Sequence, residues 1–158
     1  MSDAPPNTMP GLQLRLDERD IHRALARFAR ITDAKSFDRL DEVFARDVCF
    51  DYGSGQVENG LDALRALMSH HLSRCGGTQH LIGSVSVDVD GDRAISSAYV
   101  QARHQRVGEF LGPVFDSNGE YVDRWERRPE GWRIVRRKVM WAANTGDPAI
   151  IAADGDLS

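Results

Sequence analysis

The hydrophobic pattern of the chain changes its period once, and this change constrains the fold more than any other feature. From Ile21 to Ile31 apolar residues recur every three or four positions, which is the spacing of one face of an α-helix. From Val85 to Val89, and again between Arg93 and Arg106, apolar and polar residues alternate, as in half-buried β-strands. Helices followed by antiparallel strands predict an α+β domain in which a curved sheet wraps round a helix.

Three helices are predicted in the first half of the chain. Asp17 is the expected N-cap of the first helix, because a carboxylate can accept a hydrogen bond from a free amide at a helix start. A short second helix is predicted from Phe37 to Phe44, after a break at residues 33–36. Asn59-Gly60 then precedes a third helix, whose apolar positions begin at Leu61.

Turn residues divide the second half of the chain into strands. Asp90-Gly91-Asp92 is typical of a hairpin turn, and Asn118-Gly119 is predicted to open a further strand. Pro129-Glu130-Gly131 then turns into a last strand from Trp132 to Trp141. No internal repeat interrupts this order, so we expect one domain.

We place that domain at residues 14–142 of the 158-residue chain, which is long enough for one sizeable core. Residues 1–13 are Pro-rich and uncharged apart from Asp3, which predicts a flexible N-terminal tail rather than a signal peptide. Residues 143–158 begin with the loop-like Asn144-Thr145-Gly146, and we expect them to form a C-terminal tail.

Charge and cysteine content narrow the expected partners. The formal net charge is -4 and the arginines are dispersed, so neither nucleic acid nor a membrane surface is an expected partner. No run approaches the roughly 18 apolar residues of a membrane span. Cys49 and Cys75 lack the spacing of a metal site or a disulfide scaffold, which is typical of a cytoplasmic protein. A hydrophobic small molecule is the expected partner.

Four short fragments each carry one group that can hold or move a proton. Their side chains are Asp33, Tyr52, His80 and His104. None of the fragments has a metal-binding or phosphate-binding pattern, so we expect neither a metal nor a cofactor. Together they predict acid/base chemistry on an uncharged or weakly polar molecule.

The order of elements places Asp33 just beyond the first helix, Phe50-Asp51-Tyr52 on the first strand and Thr78-Gln79-His80 at the entry to the sheet. This arrangement resembles the SnoaL-like, nuclear-transport-factor-2-like superfamily from about Leu16 to Trp141, and within it most closely the scytalone dehydratase branch. The resemblance implies a cone-shaped barrel of a curved, mostly antiparallel sheet round the N-terminal helices. It also implies assembly into a homodimer or homotrimer.

The same resemblance implies roles for individual residues. Asp33 and His80 match the catalytic carboxylate and histidine of the dehydratase, and Tyr52 and His104 match two of its substrate-pocket residues. This chain has Thr32 where the dehydratase carries a second tyrosine. The resemblance therefore implies elimination or isomerisation more firmly than it implies one substrate.

Physical reasoning leaves an alternative for each of these residues. The helix dipole disfavours a carboxylate at a helix C-terminus by up to about 1 kcal/mol, so Asp33 either orients an imidazole or is a solvated loop residue. His80 is either a base or a partly buried histidine that is hydrogen-bonded to the backbone. Its parity places it on the opposite face of the sheet from Val85, Val87 and Val89 unless a β-bulge intervenes. His104 either polarises a substrate oxygen or is a hydrogen-bonded core histidine. Tyr52 either donates to a substrate carbonyl or is structural.

Two charged residues near the end of the chain are further candidates. Arg136 shares parity with Trp132 and Ile134, which points it into the pocket as a substrate-binding cation, although a solvated basic stripe is the alternative. Asp123 is either an inward carboxylate or a surface partner of an arginine.

These inferences lead to an expected function. We expect a cofactor-independent dehydratase or isomerase that uses Asp33 and His80 on a hydrophobic hydroxy-ketone of polyketide-like, aromatic or steroid-like character. Two other classes stay open, since a fold does not determine a function. One is a polyketide cyclase or epoxide hydrolase of the same fold, and the other is a non-catalytic ligand-binding or accessory module.

Overall fold

The computed structural model describes residues 9–152. It contains two α-helices, six strands and two short 3₁₀ turns, the latter at Phe37–Glu42 and Pro148–Ile150. The helices are α1 (Met9–Asp33) and α2 (Leu61–Leu72). The strands are β1 (Phe44–Asp51), β2 (Glu58–Asn59), β3 (Cys75–Asp90), β4 (Arg93–Arg106), β5 (Val114–Arg128) and β6 (Gly131–Gly146). Neither α-helix of this part of the chain has the length and apolar character needed to cross a membrane.

All six strands belong to one sheet. Its order is β2-β1-β6-β5-β4-β3, with β1 parallel to β6 and every other neighbouring pair antiparallel. The sheet is curved and does not close on itself within the described residues. The predicted α+β class with a mostly antiparallel sheet is therefore confirmed.

Helix α1 packs against the concave face of the sheet. Ile21, Leu25 and Phe28, which define its predicted apolar face, are almost fully buried. They join a single core cluster with Tyr121 and Trp125 of β5. Because α1 fills the inside of the curve, the residues at its C-terminal end lie next to the strands that carry the histidines.

The predicted start of the first helix is wrong, because α1 begins at Met9 within the described residues rather than near residue 17. Asp17 is not a cap but a buried side chain in the middle of the helix. Its carboxylate accepts hydrogen bonds from Gln13, from Arg127 at 2.8 Å and from the Trp132 indole at 3.1 Å. Residues 1–8 of the predicted tail lie outside the described residues.

The last strand extends further than predicted, because β6 continues to Gly146 rather than ending at Trp141, and residues 147–152 pack onto the domain. We call residues 147–152 the C-terminal segment. Ile150 is buried against Cys75 and Phe115, and Asp147 forms an ion pair with Arg106. Residues 153–158 of the predicted tail lie outside the described residues.

A β-bulge in β3 decides which face of the sheet carries His80. Ser84 and Val85 together lie opposite Ala98 of β4, so that the register shifts by one residue. His80 before the bulge and Val87 after it therefore both face inward despite their opposite parity. Ser84 itself adopts a left-handed backbone conformation with φ of 49°, which is uncommon for any residue other than glycine.

This bulge generates a stability prediction with a matched control. We expect Ser84→Gly to stabilise the fold by about 1 kcal/mol, because glycine adopts the left-handed conformation without the steric cost that other residues have there. Ser86→Gly, in the regular strand two positions later, should instead destabilise the fold by about 0.5–1 kcal/mol. Urea unfolding monitored by tryptophan fluorescence measures both changes. Equal destabilisation by both substitutions would contradict the bulge.

Candidate functional site

A carboxylate and an imidazole that are distant in sequence meet where α1 ends beside β3. The Nδ1 atom of His80 lies 2.7 Å from Oδ1 of Asp33. The backbone N–H of His80 donates to Oδ2 at 3.1 Å, and the Thr78 hydroxyl donates to Oδ1 at 3.2 Å. The two side chains are only 22% and 7% exposed, for Asp33 and His80 respectively. The predicted pairing is thus present in the structure.

The end of α1 is shaped to present Asp33 to β3. Lys35 takes a left-handed conformation with φ of 55°, and the Ser36 N–H donates back to the Ile31 carbonyl at 3.0 Å, which is a common way to terminate a helix. The Lys35 ammonium then donates to the Gly76 carbonyl of β3 at 2.8 Å. The Lys35 contact therefore joins the end of α1 to β3 close to Asp33.

The hydrogen bonds at Asp33 determine its charge and the tautomer of His80. Burial alone would raise the pKa of Asp33, but the three hydrogen bonds from His80 and Thr78 together hold it below its usual range. An ionised carboxylate only accepts hydrogen bonds, so Nδ1 of His80 carries a proton. The other ring nitrogen, Nε2, is therefore unprotonated in the neutral imidazole and can act as a base.

His104 lies next to His80, with ring centroids 5.9 Å apart, but it has a different partner. Its Nδ1 is 2.9 Å from the Phe115 carbonyl oxygen, which can only accept, so Nδ1 carries the proton here as well. Burial lowers the pKa of His104, which favours the neutral ring. Its Nε2 is then an acceptor, and this differs from the donor role expected from the sequence.

Tyr52 follows β1 and contacts a buried ion pair. Arg137 and Asp123 form two N–H···O bonds of 2.7 Å each and are 0% and 1% exposed. A third guanidinium nitrogen, Nη1 of Arg137, donates to the Tyr52 hydroxyl at 3.4 Å. Burial raises the pKa of Tyr52, and the Arg137 charge opposes this only in part, so the phenol stays protonated at neutral pH.

Arg136 does not face the site, so its predicted orientation into the pocket is wrong. Val135 is an extra residue in β6 at its pairing with β5, since Arg124 pairs with Arg136 whereas Trp125 pairs with Ile134. The bulge reverses the alternation, so that Arg136 is exposed and Arg137 is buried. Asp123, for which the sequence left two alternatives open, is inward and paired with an arginine.

A cavity of about 330 Å³ lies between α1, α2 and the sheet, and its lining includes Tyr52, His80 and His104. Its polar lining residues include Tyr52, His71, His80, His104, Ser117 and Tyr121. Its apolar lining residues include Phe28, Leu67, Met68, Leu72, Phe115 and Trp141. Asp33 is not in the lining but lies behind His80. The cavity is therefore mostly apolar, with a few polar groups that can orient a ligand.

Sequence reasoning missed six of the nine polar lining residues, namely Ser54, Glu58, His71, Ser117, Tyr121 and Asn144. Tyr121 and Ser117 share inward parity on β5, and parity could have identified them. His71 was not a candidate because it follows another histidine in α2. Its Nδ1 lies 3.1 Å from the Ile151 carbonyl oxygen, and Ile151 itself lines the cavity. The C-terminal segment therefore closes one end of the site.

The described residues contain no group of three or more His, Cys, Asp or Glu side chains arranged to ligate a metal. Besides Asp33 behind His80, the polar groups of the site are three imidazoles, two phenols, the hydroxyls of Ser54 and Ser117, the Glu58 carboxylate and the Asn144 amide. Such groups can transfer protons and form hydrogen bonds to a ligand.

The family follows from a comparison of the sequence with known proteins. Residues 13–138 match the family model for the SnoaL-like domain. The chain belongs to the SnoaL-like family. A relative from Mycobacterium tuberculosis, the uncharacterized protein Rv2910c, is 32% identical over 127 residues, which cover 77% of this chain and 82% of the relative. The superfamily predicted from the sequence is thus confirmed.

Two solved structures share the fold of this SnoaL-like chain. A protein of Novosphingobium aromaticivorans, provisionally named a scytalone dehydratase, has a TM-score of 0.77 at 22% identity and covers 87% of this chain and 91% of its own. A hexachlorocyclohexane dehydrochlorinase (LinA, type 2) has a TM-score of 0.71 at 16% identity and covers 94% and 99%. At such identities the likeness shows a common architecture.

The charge of Asp33 generates a pH prediction. Because the folded state lowers its pKa, the stability that ionised Asp33 contributes is complete above the ordinary carboxyl pKa of about 3.9 and is lost as pH falls through the lowered value. Asp33→Asn should therefore destabilise the fold by about 1–3 kcal/mol near neutral pH, and its difference from wild type should shrink in acid. Urea unfolding across this pH range measures the difference.

The matched control is Asp88→Asn, on the exposed face of β3. It removes one negative charge and should stay within about 0.5 kcal/mol of wild type near neutral pH. A difference for Asp33→Asn that is equally large in acid and at neutral pH would contradict the ionised pair.

Proposed function

We propose that this SnoaL-like protein is a cofactor-independent dehydratase or isomerase that acts on a hydrophobic hydroxy-ketone. The observation that carries the proposal is the position of His80. Its Nδ1 is bound to a carboxylate at 2.7 Å, while its ring lines a mostly apolar cavity. An imidazole oriented in this way is a base whose cationic form has a fixed counter-charge.

The cavity supports the substrate class. Its volume of about 330 Å³ is within the range of small-molecule sites, and rings such as Phe28 and Phe115 form much of its wall. These surfaces favour a flat, apolar ligand. The few polar groups favour a ligand with a carbonyl and a hydroxyl rather than one with several charges.

The first proposed step is removal of a proton from carbon. Nε2 of His80 takes the proton on the carbon next to the substrate carbonyl, and the electron pair of the broken C–H bond moves onto the carbonyl oxygen to give an enolate. The Tyr52 hydroxyl donates to that oxygen, which gains charge in this step. Asp33 stabilises the imidazolium that results.

The second step is departure of the hydroxyl. The enolate electrons re-form the carbonyl and make a carbon–carbon double bond, while the bond to the β-hydroxyl breaks. His80 returns its proton to the leaving oxygen, so water departs and the imidazole is neutral again. Return of the proton to carbon at another position would instead give isomerisation.

His104 has a binding role in this proposal. Its Nδ1–H donates to the Phe115 carbonyl oxygen, so Nε2 of the neutral ring is the acceptor available to a ligand in the cavity. It therefore binds the hydroxyl of the substrate, or a water bound to that hydroxyl, and places the leaving group near His80. The carbonyl is left to the phenol.

The solved structures that share the fold support elimination. One is provisionally named a scytalone dehydratase and the other is a hexachlorocyclohexane dehydrochlorinase, so one name describes loss of water and the other loss of hydrogen chloride. The separate observation in this chain is the Asp33–His80 pair beside an apolar cavity.

A β-hydroxytetralone tests the proposal, because loss of water converts it to a fluorescent naphthol. The wild-type protein should form the naphthol, and His80→Ala should lower turnover by about 10²–10⁴-fold, since the acid/base group is removed. His22→Ala, which changes an exposed histidine of α1, is the control and should retain wild-type turnover. Near-wild-type turnover in His80→Ala would contradict the proposal.

Other products would favour the other classes. A substrate that binds and is recovered unchanged, across a panel of hydroxy-ketones, would indicate a binding module. Ring closure of a linear precursor or addition of water to an epoxide would indicate a cyclase or a hydrolase. Each of these results, without any elimination, would overturn the dehydratase assignment.

A further inference from the structure

Tyr121 has a hydroxyl that the protein itself does not use. The ring lies on β5, is only 2% exposed and contacts the rings of Phe28 and Tyr52. Within residues 9–152 its hydroxyl has no hydrogen-bond partner, yet no polar side-chain atom of this part of the chain is both sealed from solvent and unpaired. Because Tyr121 lines the cavity, its hydroxyl opens onto the cavity.

The hydroxyl of Tyr52, which also lines the cavity, is likewise available as a hydrogen-bond donor. Its oxygen accepts from Nη1 of Arg137 at 3.4 Å, and no described residue accepts the phenol proton. The guanidinium carbon of Arg137 also lies 4.1 Å from the centroid of the Tyr121 ring. The two phenols are thus neighbours, 6.5 Å apart between ring centroids, and both contact the buried guanidinium of Arg137.

We propose that the hydroxyls of Tyr52 and Tyr121 form a two-donor site for the carbonyl oxygen of an aromatic ketone, with Arg137 as a positioning residue. The proposal rests on the proposed function for its chemistry, because such a site would also hold an enolate oxygen. It assigns Tyr121 a contact with the ligand that the sequence did not indicate.

The charges around the two phenols support donation. Asp123 pairs with Arg137 through two bonds, so the buried unit is neutral and does not attract a free anion. Burial raises the pKa of Tyr121 and Tyr52, so both keep their protons at neutral pH and can only be satisfied by an acceptor. A ketone oxygen has two lone pairs and can accept from both.

The hydrogen-bond acceptors and donors of the cavity lie on different residues. In their neutral forms His80 and His104 present acceptors, whereas the two phenols present donors. A ligand with a carbonyl and a separate hydroxyl therefore has one favoured orientation, with the carbonyl at the tyrosines and the hydroxyl at His104. This orientation is what the elimination needs, since it places the carbon between the two groups near His80.

Binding of a ketone that cannot react tests the site without turnover. Wild-type protein should bind 1-tetralone more tightly than tetralin, its hydrocarbon counterpart, in calorimetric or fluorescence titrations. Tyr121→Phe should weaken 1-tetralone binding by about fivefold to tenfold and leave tetralin binding unchanged. The control is Tyr99→Phe, which removes the hydroxyl of a tyrosine that is 62% exposed and should change neither affinity.

A spectroscopic measurement separates donation from packing. Hydrogen bonding lowers the stretching frequency of a carbonyl group, so the band of bound 1-tetralone should lie below its position in an apolar solvent. Each of Tyr121→Phe and Tyr52→Phe should move the band to higher frequency, and the double variant should move it furthest. Arg137→Lys keeps a positive charge beside Asp123 but removes the Nη1 donor to Tyr52, so it should move the band in the same direction. An unchanged band in Arg137→Lys would contradict the positioning role of Arg137.

The outcomes distinguish this inference from the proposed function. His80→Ala should lower turnover by about 10²–10⁴-fold but keep the 1-tetralone affinity and the carbonyl frequency of wild type. Loss of affinity in Tyr121→Phe without any elimination activity in wild type would uphold the donor site and overturn the proposed reaction. Elimination in wild type together with unchanged affinity and frequency in Tyr121→Phe would overturn the donor site alone.

Discussion

One carboxylate joins the inner helix of this domain to the edge of its sheet. Asp33 ends α1 and receives three hydrogen bonds from β3, two of them from His80. The helix dipole alone would disfavour a negative charge there, so the donors of β3 offset an unfavourable position. The same bonds set the orientation of the imidazole, and thus a contact that anchors the fold also prepares a base beside the cavity.

The residue types of the site were readable from the sequence, but their orientation was only partly so. Asp33, His80, His104 and Tyr52 come together as expected because the order of helices and strands determines which ends meet. Arg136 does not join them, since an extra residue at Val135 reverses the alternation of β6. A bulge depends on how two strands pair, and no pattern within one strand reveals it.

Local signals also failed where tertiary contacts gave the same residues another role. Asp17 is a residue type that often caps helices, but here it lies within α1. The indole of Trp132 and the guanidinium of Arg127 donate hydrogen bonds to its carboxylate. Asn118-Gly119 has the character of a turn, yet both residues lie within β5 at a register shift. A side chain at Gly119 would place its Cβ atom 2.4 Å from the Met140 carbonyl oxygen, so the glycine permits close strand pairing.

The C-terminal segment separates the shape of the cavity from its chemistry. Ile151 forms part of the cavity wall, and its carbonyl oxygen accepts from His71, whereas Asp33 and His80 lie on α1 and β3. Insertions or substitutions in residues 147–152 would therefore change the size of the cavity and leave the Asp33–His80 pair in place. In an evolving lineage, substitutions at a few positions of this segment would be enough to change which ligands fit the cavity.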